Sequence, residues 1–185
     1  MNIDQTELPG VLIITPRRFG DDRGWFSETW NAERLAEAGI ELNFVQDNQS
    51  YSSEKHTLRG LHYQAPPKAQ DKLVRCTRGA ILDVAVDARQ GSPSYGKWIG
   101  VELTAENFRQ LLVPKGFLHA FLTLTENTEV QYKCTDYYAP ECEGIVRWDS
   151  VGIDWPVSGT PTLSGKDAEA PGFLDWTSPF TGGPA

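Results

Sequence analysis

Apolar and polar positions alternate along most of this chain with a period of two, in short runs separated by Gly, Pro, Asn and Asp. That alternation marks strands with one buried face, and the separators mark turns. In Ile81–Asp87, Leu82, Val84 and Val86 fall on one face, and Asp83 and Asp87 on the other. The same pattern predicts strands at Phe44–Tyr51, Thr57–Tyr63, Lys72–Thr77, Lys97–Leu103, Gln110–Val113, His119–Leu124, Glu129–Thr135 and Ile145–Trp148. Val11–Ile14 and Trp25–Trp30 are further strand candidates ahead of them. Ala32–Ala38 is the one convincing helix, with Asn31 as its N-cap, Leu35 facing inward and Gly39 as its stop. Asp21–Gly24 reads as a turn, Thr77–Ala80 as a hairpin turn and Gly91–Gly96 as a loop. Many short strands with Gly and Pro punctuation and few short helices predict an all-β, antiparallel jelly roll, sandwich or barrel. After Val151, Trp155-Pro156, Pro161 and Pro171 interrupt regular structure, and Pro179–Ala185 is expected to be mobile.

Length and charge narrow this picture. A chain of 185 residues suits a single domain over 1–185, with a core at about 3–175 and a tail at 176–185. Seventeen Lys and Arg against 25 Asp and Glu give a net charge of −8, which argues against non-specific nucleic-acid binding. It leaves room for one small anionic ligand, because the local field outweighs the net charge. The three cysteines, Cys76, Cys134 and Cys142, form no Cys-x-x-Cys pair, so reduced thiols and a cytoplasmic location are expected. The start, MNIDQTELPG, has no apolar core of a signal peptide, and no run of about 18 apolar residues predicts a membrane helix.

Against the acidic background, His56–Gly79 stands out. It carries two of the three histidines together with Arg59, Lys68, Lys72, Arg75 and Arg78, as one half of a site for an anionic substrate would. Downstream, Pro114-Lys115-Gly116-Phe117-Leu118-His119 sets a tight turn before an apolar strand and resembles the second motif of the cupin superfamily. The corresponding first motif, Gly60-Leu61-His62-Tyr63-Gln64, has Gln64 where a second histidine usually stands. With only His62 and His119 in the matching places, no metal is expected.

Seven segments taken together are more specific. Phe19–Gly24 (FGDDRG), Phe44–Asn48 (FVQDN), Leu58–Gln64 (LRGLHYQ), Lys72–Cys76 (KLVRC), Asp83–Asp87 (DVAVD), Tyr132–Tyr138 (YKCTDYY) and Leu163–Ala168 (LSGKDA) follow in that order. On these the chain resembles the dTDP-4-dehydrorhamnose 3,5-epimerase family, over about residues 3 to 175. The resemblance implies a cupin-type jelly-roll homodimer without cofactor or metal. It implies a nucleotide-sugar substrate, dTDP-4-dehydro-6-deoxy-glucose, inverted at C3 and C5. His62 matches the base, Asp167 its carboxylate partner, Lys72 the enolate-stabilising ammonium and Tyr132 the opposing proton donor. Arg23, Arg59 and Lys166 are suited to a diphosphate, and Tyr138, with Phe19 nearby, matches the aromatic stacked on thymine. Glu28, Gln46, Asp47, Asn48, His119 and Glu143 match positions contacting the nucleotide or sugar. Competing expectations are an epimerase acting at one carbon, a metal-dependent cupin and a non-catalytic binding cupin.

Strand parity raises one difficulty. Arg59 and His62 are three residues apart, so a regular strand would send them to opposite faces. Either Gly60 marks a bulge that re-aims one of them, or one serves a partner subunit's site.

Overall fold

A computed structural model describes residues 1–182. Its strands are β1 (Asn2–Gln5), β2 (Leu12–Thr15), β3 (Arg18–Asp21), β4 (Gly24–Ser27), β5 (Gln46–Ser52), β6 (Leu58–Gln64) and β7 (Lys72–Arg78). They continue as β8 (Ala80–Asp87), β9 (Trp98–Thr104), β10 (Gln110–Val113), β11 (Phe117–Thr123), β12 (Thr128–Cys134) and β13 (Glu143–Ile145). Two short helices, α1 (Ala32–Ala36) and α2 (Gly165–Ala168), complete the set with a 3₁₀ turn at Pro140–Cys142.

The strands form a six-stranded sheet ordered β1-β2-β10-β7-β12-β5 and a five-stranded sheet ordered β13-β6-β11-β8-β9, with β3 and β4 as a separate hairpin. Every pairing between these strands is antiparallel, which is the predicted all-β jelly roll. The main core fills the space between the sheets. Val11, Val74, Leu111, Val113 and Val130 from one side meet Ile81, Ala85, Leu103, Phe117 and Phe121 from the other. At roughly 25 cal/mol per Å² of apolar surface buried, this cluster is the main stabilising element of the sandwich.

Both sheets also have covered backs. Leu12, Ile14, Leu73 and Leu112 pack under Leu35 of α1 and the aromatics Trp30 and Phe44, whose rings meet edge to face at 4.6 Å. Leu61, Val84, Val86, Leu118 and Ala120 pack under Val146, Trp155, Phe173, Trp176 and Phe180.

Most predicted strands appear within a residue or two of their expected limits, and the departures have physical causes. β1 and β3 show no burial alternation, because β1 is an edge strand and β3 lies on an exposed hairpin. Trp25–Trp30 is a strand only to Ser27, since Trp30 turns away to pack on Phe44. The helix ends at Ala36; Asn31 caps it by accepting from the Arg34 N–H at 3.2 Å. The expected strand at Ile145–Trp148 is instead Glu143–Ile145, pairing with β6.

The tail corrects an expectation. Residues 179–182, expected to be mobile, are strapped to the back of the five-stranded sheet. Phe180 is buried, Thr181 bridges to Gln90, and the Gln90 side chain donates to the Ser178 carbonyl at 2.7 Å. Buried aromatics outweigh the ordering cost that a Pro- and Gly-rich tail suggested. Residues 183–185, also assigned to the mobile tail, lie outside the described residues. Among the described residues no helix is long and apolar enough to cross a membrane.

Candidate active site

The site is assembled by pairing register. Residues opposite each other in a sheet share a face. His119 on β11 stands opposite His62 on β6, and Ile145 on β13 opposite His62, with Glu143 opposite Gln64. In the other sheet Tyr132 stands opposite Asn48, and Cys134 opposite both Gln46 and Lys72. All of these point between the sheets, where the apolar core gives way to polar side chains at one end.

The parity difficulty at Arg59 and His62 is settled by a bulge. Three steps along β6, from Arg59 to His62, match two steps along β11, from Phe121 to His119. The extra residue returns Arg59 to the same face as His62. Gly60 makes this possible: its φ is +129°, and a Cβ there would lie 2.6 Å from both the Ala120 Cα and the His119 carbonyl oxygen.

His62 Nε2 lies 2.6 Å from Asp167 Oδ1. Asp167 sits in the first turn of α2, whose N-cap Ser164 donates its hydroxyl to Asp167 Oδ2 at 2.7 Å and accepts from the Asp167 N–H at 3.2 Å. Burial alone would raise the Asp167 carboxyl. The hydrogen bonds from His62 and Ser164 outweigh it and hold the group below the usual carboxylate range. Asp167 is therefore an anion that accepts from Nε2–H, and Nδ1 becomes the basic nitrogen. The His62 side chain is 35% exposed and Asp167 4%, so the imidazole is open to the cavity and the carboxylate that anchors it is sealed.

Lys72 rises from the opposite sheet with its Nζ 6.0 Å from the centre of the Tyr132 ring. Burial lowers its pKa, against the opposing pull of the negative groups around it, Asp83 and Glu143 among them. Tyr132 is shifted up, chiefly by burial, so its phenol stays protonated at neutral pH. Cys134, beside Lys72, is also raised by burial. His119 Nε2 contacts Asp83 Oδ1 at 2.8 Å in a second, fully enclosed pair. Among the described residues no group of three or more His, Cys, Asp and Glu is placed to hold a metal ion.

The remaining predicted residues divide. Arg59 donates to the Tyr51 carbonyl at 3.1 Å and lies on the inner face. Gln46 and Asn48 are linked at 3.0 Å on that face. Glu143 and Lys166 stand 3.6 Å apart near α2, and Tyr138 projects into solvent at the rim. Asp47 is not brought to the cavity: parity sends it to the outer face, where Lys133 holds its carboxylate at 2.8 Å. Phe19 and Arg23 are on the exposed β3–β4 hairpin, Arg23 paired with Asp21 at 2.6 Å, and Glu28 pairs with Arg34 at 3.1 Å. None of these three is bonded to the His62 constellation within the chain.

The fold and the sequence both have known relatives. The family model described as dTDP-4-dehydrorhamnose 3,5-epimerase matches residues 5–175. The chain belongs to the dTDP-4-dehydrorhamnose 3,5-epimerase family. It is 51% identical over 174 residues to the dTDP-4-dehydrorhamnose 3,5-epimerase of Salmonella typhimurium, covering 92% of this chain and 94% of that one. A Bacillus anthracis dTDP-4-dehydrorhamnose 3,5-epimerase structure with TDP and PPi bound superposes with a TM-score of 0.90 at 46% identity, over 93% of this chain and 99% of that one. A Legionella pneumophila dTDP-6-deoxy-D-glucose-3,5-epimerase structure, in complex with dTDP-4-keto-L-rhamnose, gives 0.89 at 46% identity, over 94% and 93%.

Within this epimerase fold, motif reading left Ser164, Asp83 and Cys134 without roles. Two had usable signals. Ser164-Gly165-Lys166-Asp167 has the spacing of an N-cap, and Asp83 is an acid inside an otherwise apolar strand. Cys134 had none beyond its parity with Tyr132.

Proposed function

We propose that this protein inverts C3 and C5 of dTDP-4-dehydro-6-deoxy-α-D-glucose, giving dTDP-4-dehydro-β-L-rhamnose, as a step of dTDP-L-rhamnose biosynthesis. The observation that carries the reading is the placement of acid–base groups on two facing sheets. His62 with Asp167 forms one wall, and Lys72 with Tyr132 the other. The C4 ketone acidifies the protons on both neighbouring carbons, so the chemistry needs a base, an enolate holder and a donor from the far side. His62 Nδ1 takes the proton as Nε2–H donates to Asp167. The Lys72 ammonium faces the developing enolate oxygen, and its burial-lowered pKa brings it nearer to that of the enol it must stabilise. Tyr132, held in its phenol form by burial, returns a proton from the opposite face. No cofactor is required for these steps.

Arg59 and Lys166 are assigned to the diphosphate, and the Tyr138 ring at the rim to the thymine. Gln46, Asn48, His119 and Glu143 line the path between them. We further propose a homodimer. Phe19, Trp25 and Phe26 stand exposed on a hairpin whose two strands pair only with each other, and Phe19, Arg23 and Glu28 make no bond to the His62 constellation among the described residues. A second copy would give both the apolar rings and the Arg23 guanidinium a use. The free thiols Cys76, Cys134 and Cys142 suit a cytoplasmic enzyme.

The test is product analysis by NMR in D₂O. Deuterium should enter at both C3 and C5, and His62→Ala should abolish uptake. Undiminished exchange in that variant would remove His62 as the base, and deuterium at a single carbon would reassign the enzyme to one-position epimerisation.

A further inference from the structure

Residues 136–139 follow β12 and belong to no strand or helix, so no ladder holds them. Six of their eight backbone N–H and C=O groups are nevertheless engaged, five of them by side chains. The Gln70 amide donates to the Asp136 carbonyl at 2.7 Å, and the Asp136 carboxylate accepts from the Tyr137 N–H at 2.8 Å. Gln46 Oε1 accepts from the Tyr138 N–H at 2.8 Å. At the centre is Gln64. Its Nε2 donates to the Tyr137 carbonyl at 3.0 Å and to the Lys68 carbonyl, and its Oε1 accepts from the Ala139 N–H at 2.9 Å. Gln64 is 6% exposed and has spent its whole amide on backbone groups of two loops. Lys68 closes the clip from its own loop by holding the Asp136 carboxylate at 3.0 Å.

The segment so held carries Tyr138, whose ring is 56% exposed and packs on no other aromatic residue among the described residues. No aromatic neighbour fixes that ring, so its place depends on the backbone that carries it. We infer that Gln64 is a positioning residue for nucleotide recognition: by clamping Tyr137 and Ala139 it fixes the Tyr138 ring at the cavity mouth before the ligand arrives. A ring held in its binding position loses less freedom on stacking, and this raises affinity without a new contact. The position that in the cupin motif would carry a metal-binding histidine is here committed to this clip. The inference rests on the assignment of Tyr138 to the thymine, and the experiment separates the two.

Titration calorimetry with dTDP is carried out on the wild type, Gln64→Met, Tyr138→Ala and the double variant. Met keeps the shape of Gln64 and removes its three hydrogen bonds. Tyr138→Ala should raise Kd about ten- to hundredfold, the loss of one stacked base. Gln64→Met should raise it by a similar order, and the double variant should be no weaker than Tyr138→Ala alone. At saturating substrate, kcat of Gln64→Met should stay within about threefold of wild type while KM rises. Hydrogen exchange of residues 136–139 should quicken in the same variant. Retained affinity in Gln64→Met beside a weakened Tyr138→Ala overturns the clip and spares the stacking assignment. So does full additivity in the double variant. Retained affinity in Tyr138→Ala removes the stacking assignment and this inference with it. Should Gln64→Met not fold, Gln64→Glu serves: it keeps the acceptor for Ala139 and regains a donor only when protonated. Its dTDP affinity should recover as pH falls from about 8 to about 6, since burial raises a carboxyl pKa. No recovery there, relative to wild type over the same range, would also overturn the clip.

Discussion

Replacing Asp167 by Asn tests the dyad with little change of shape. The carboxylate is almost sealed from solvent, lies 2.6 Å from His62 Nε2 and is tied on its other oxygen to Ser164 at 2.7 Å. When His62 takes a proton, an imidazolium forms beside that anion. Two unit charges about 4 Å apart at an effective dielectric near 20 interact by about 4 kcal/mol. His62 is a third exposed, so screening reduces the figure, and about 2 to 4 kcal/mol of stabilisation is available to the proton-transfer step. Asn removes the charge and keeps the hydrogen bond at neutral strength. The expected result is a fall in kcat of about 30- to 1000-fold. Binding of dTDP should not change, because the side chain faces the sugar end. Rate is read from deuterium uptake at C3 and C5, and affinity by calorimetry on the same preparation. Thermal melting should confirm that α2 keeps its cap, since Ser164 Oγ still accepts from residue 167. Wild-type exchange in Asp167→Asn would refute the argument that the carboxylate stabilises the charged imidazole.

Lys72→Met should lower exchange at both carbons by about 100-fold or more while dTDP still binds, because it removes the ammonium that stands beside Tyr132 on that wall; calorimetry and deuterium uptake check both halves. Tyr132→Phe should separate proton removal from inversion: solvent deuterium still enters from the His62 side, but NMR detects the epimerised product reduced about 100-fold. Asp87, buried and bonded to Arg89, Ser92 and Ser94, is lowered from 3.8 to about 2 despite its burial. A depressed carboxyl contributes stability above its unfolded pKa and loses it as pH falls through the folded one. About 2 kcal/mol should therefore disappear between about pH 4 and pH 2; acid melting curves of Asp87→Asn should lack that component.

The sheet scaffold was readable because strand alternation follows directly from one-sided burial. Leu82, Val84 and Val86 point to the back of their sheet, as their spacing requires. What the alternation did not reveal is the environment of the other face. Asp83 and Asp87 share that face, and both are fully buried, one against His119 and one inside the Arg89–Ser92–Ser94 loop. Polarity reports solvent only when no partner is at hand, and partners 36 residues away in sequence are invisible to a local pattern. The Arg59–His62 bulge was legible as a conflict and not as a solution, because its proof is the register against β11. The docked tail was misread for a related reason: Pro and Gly lower local order, but the decision lay with Tyr63, far earlier in the chain, whose ring meets Phe180 edge to face at 5.6 Å.

Two His–Asp pairs face the same cavity from one sheet, and their burial separates their roles without appeal to motif. His62 and His119 stand directly opposite each other on β6 and β11. Their carboxylate distances, 2.6 and 2.8 Å, are nearly the same. Yet the His119 side chain is 8% exposed and Asp83 0%, so a proton passing through that pair has no open face to meet a substrate carbon. Burial raises the Asp83 carboxyl, and its Oδ2 has no hydrogen-bond partner among the described residues, whereas the Asp167 carboxyl is held low by two donors. An anion with both oxygens satisfied can stabilise a transient imidazolium, while a carboxyl pushed toward protonation cannot do so as well. On the proposed mechanism, the exposed ring on the fully hydrogen-bonded anion is therefore the better base, and the sealed pair is a polar wall behind it. That assignment follows from hydrogen bonding and access alone, and it selects the same histidine that the Leu58–Gln64 motif does.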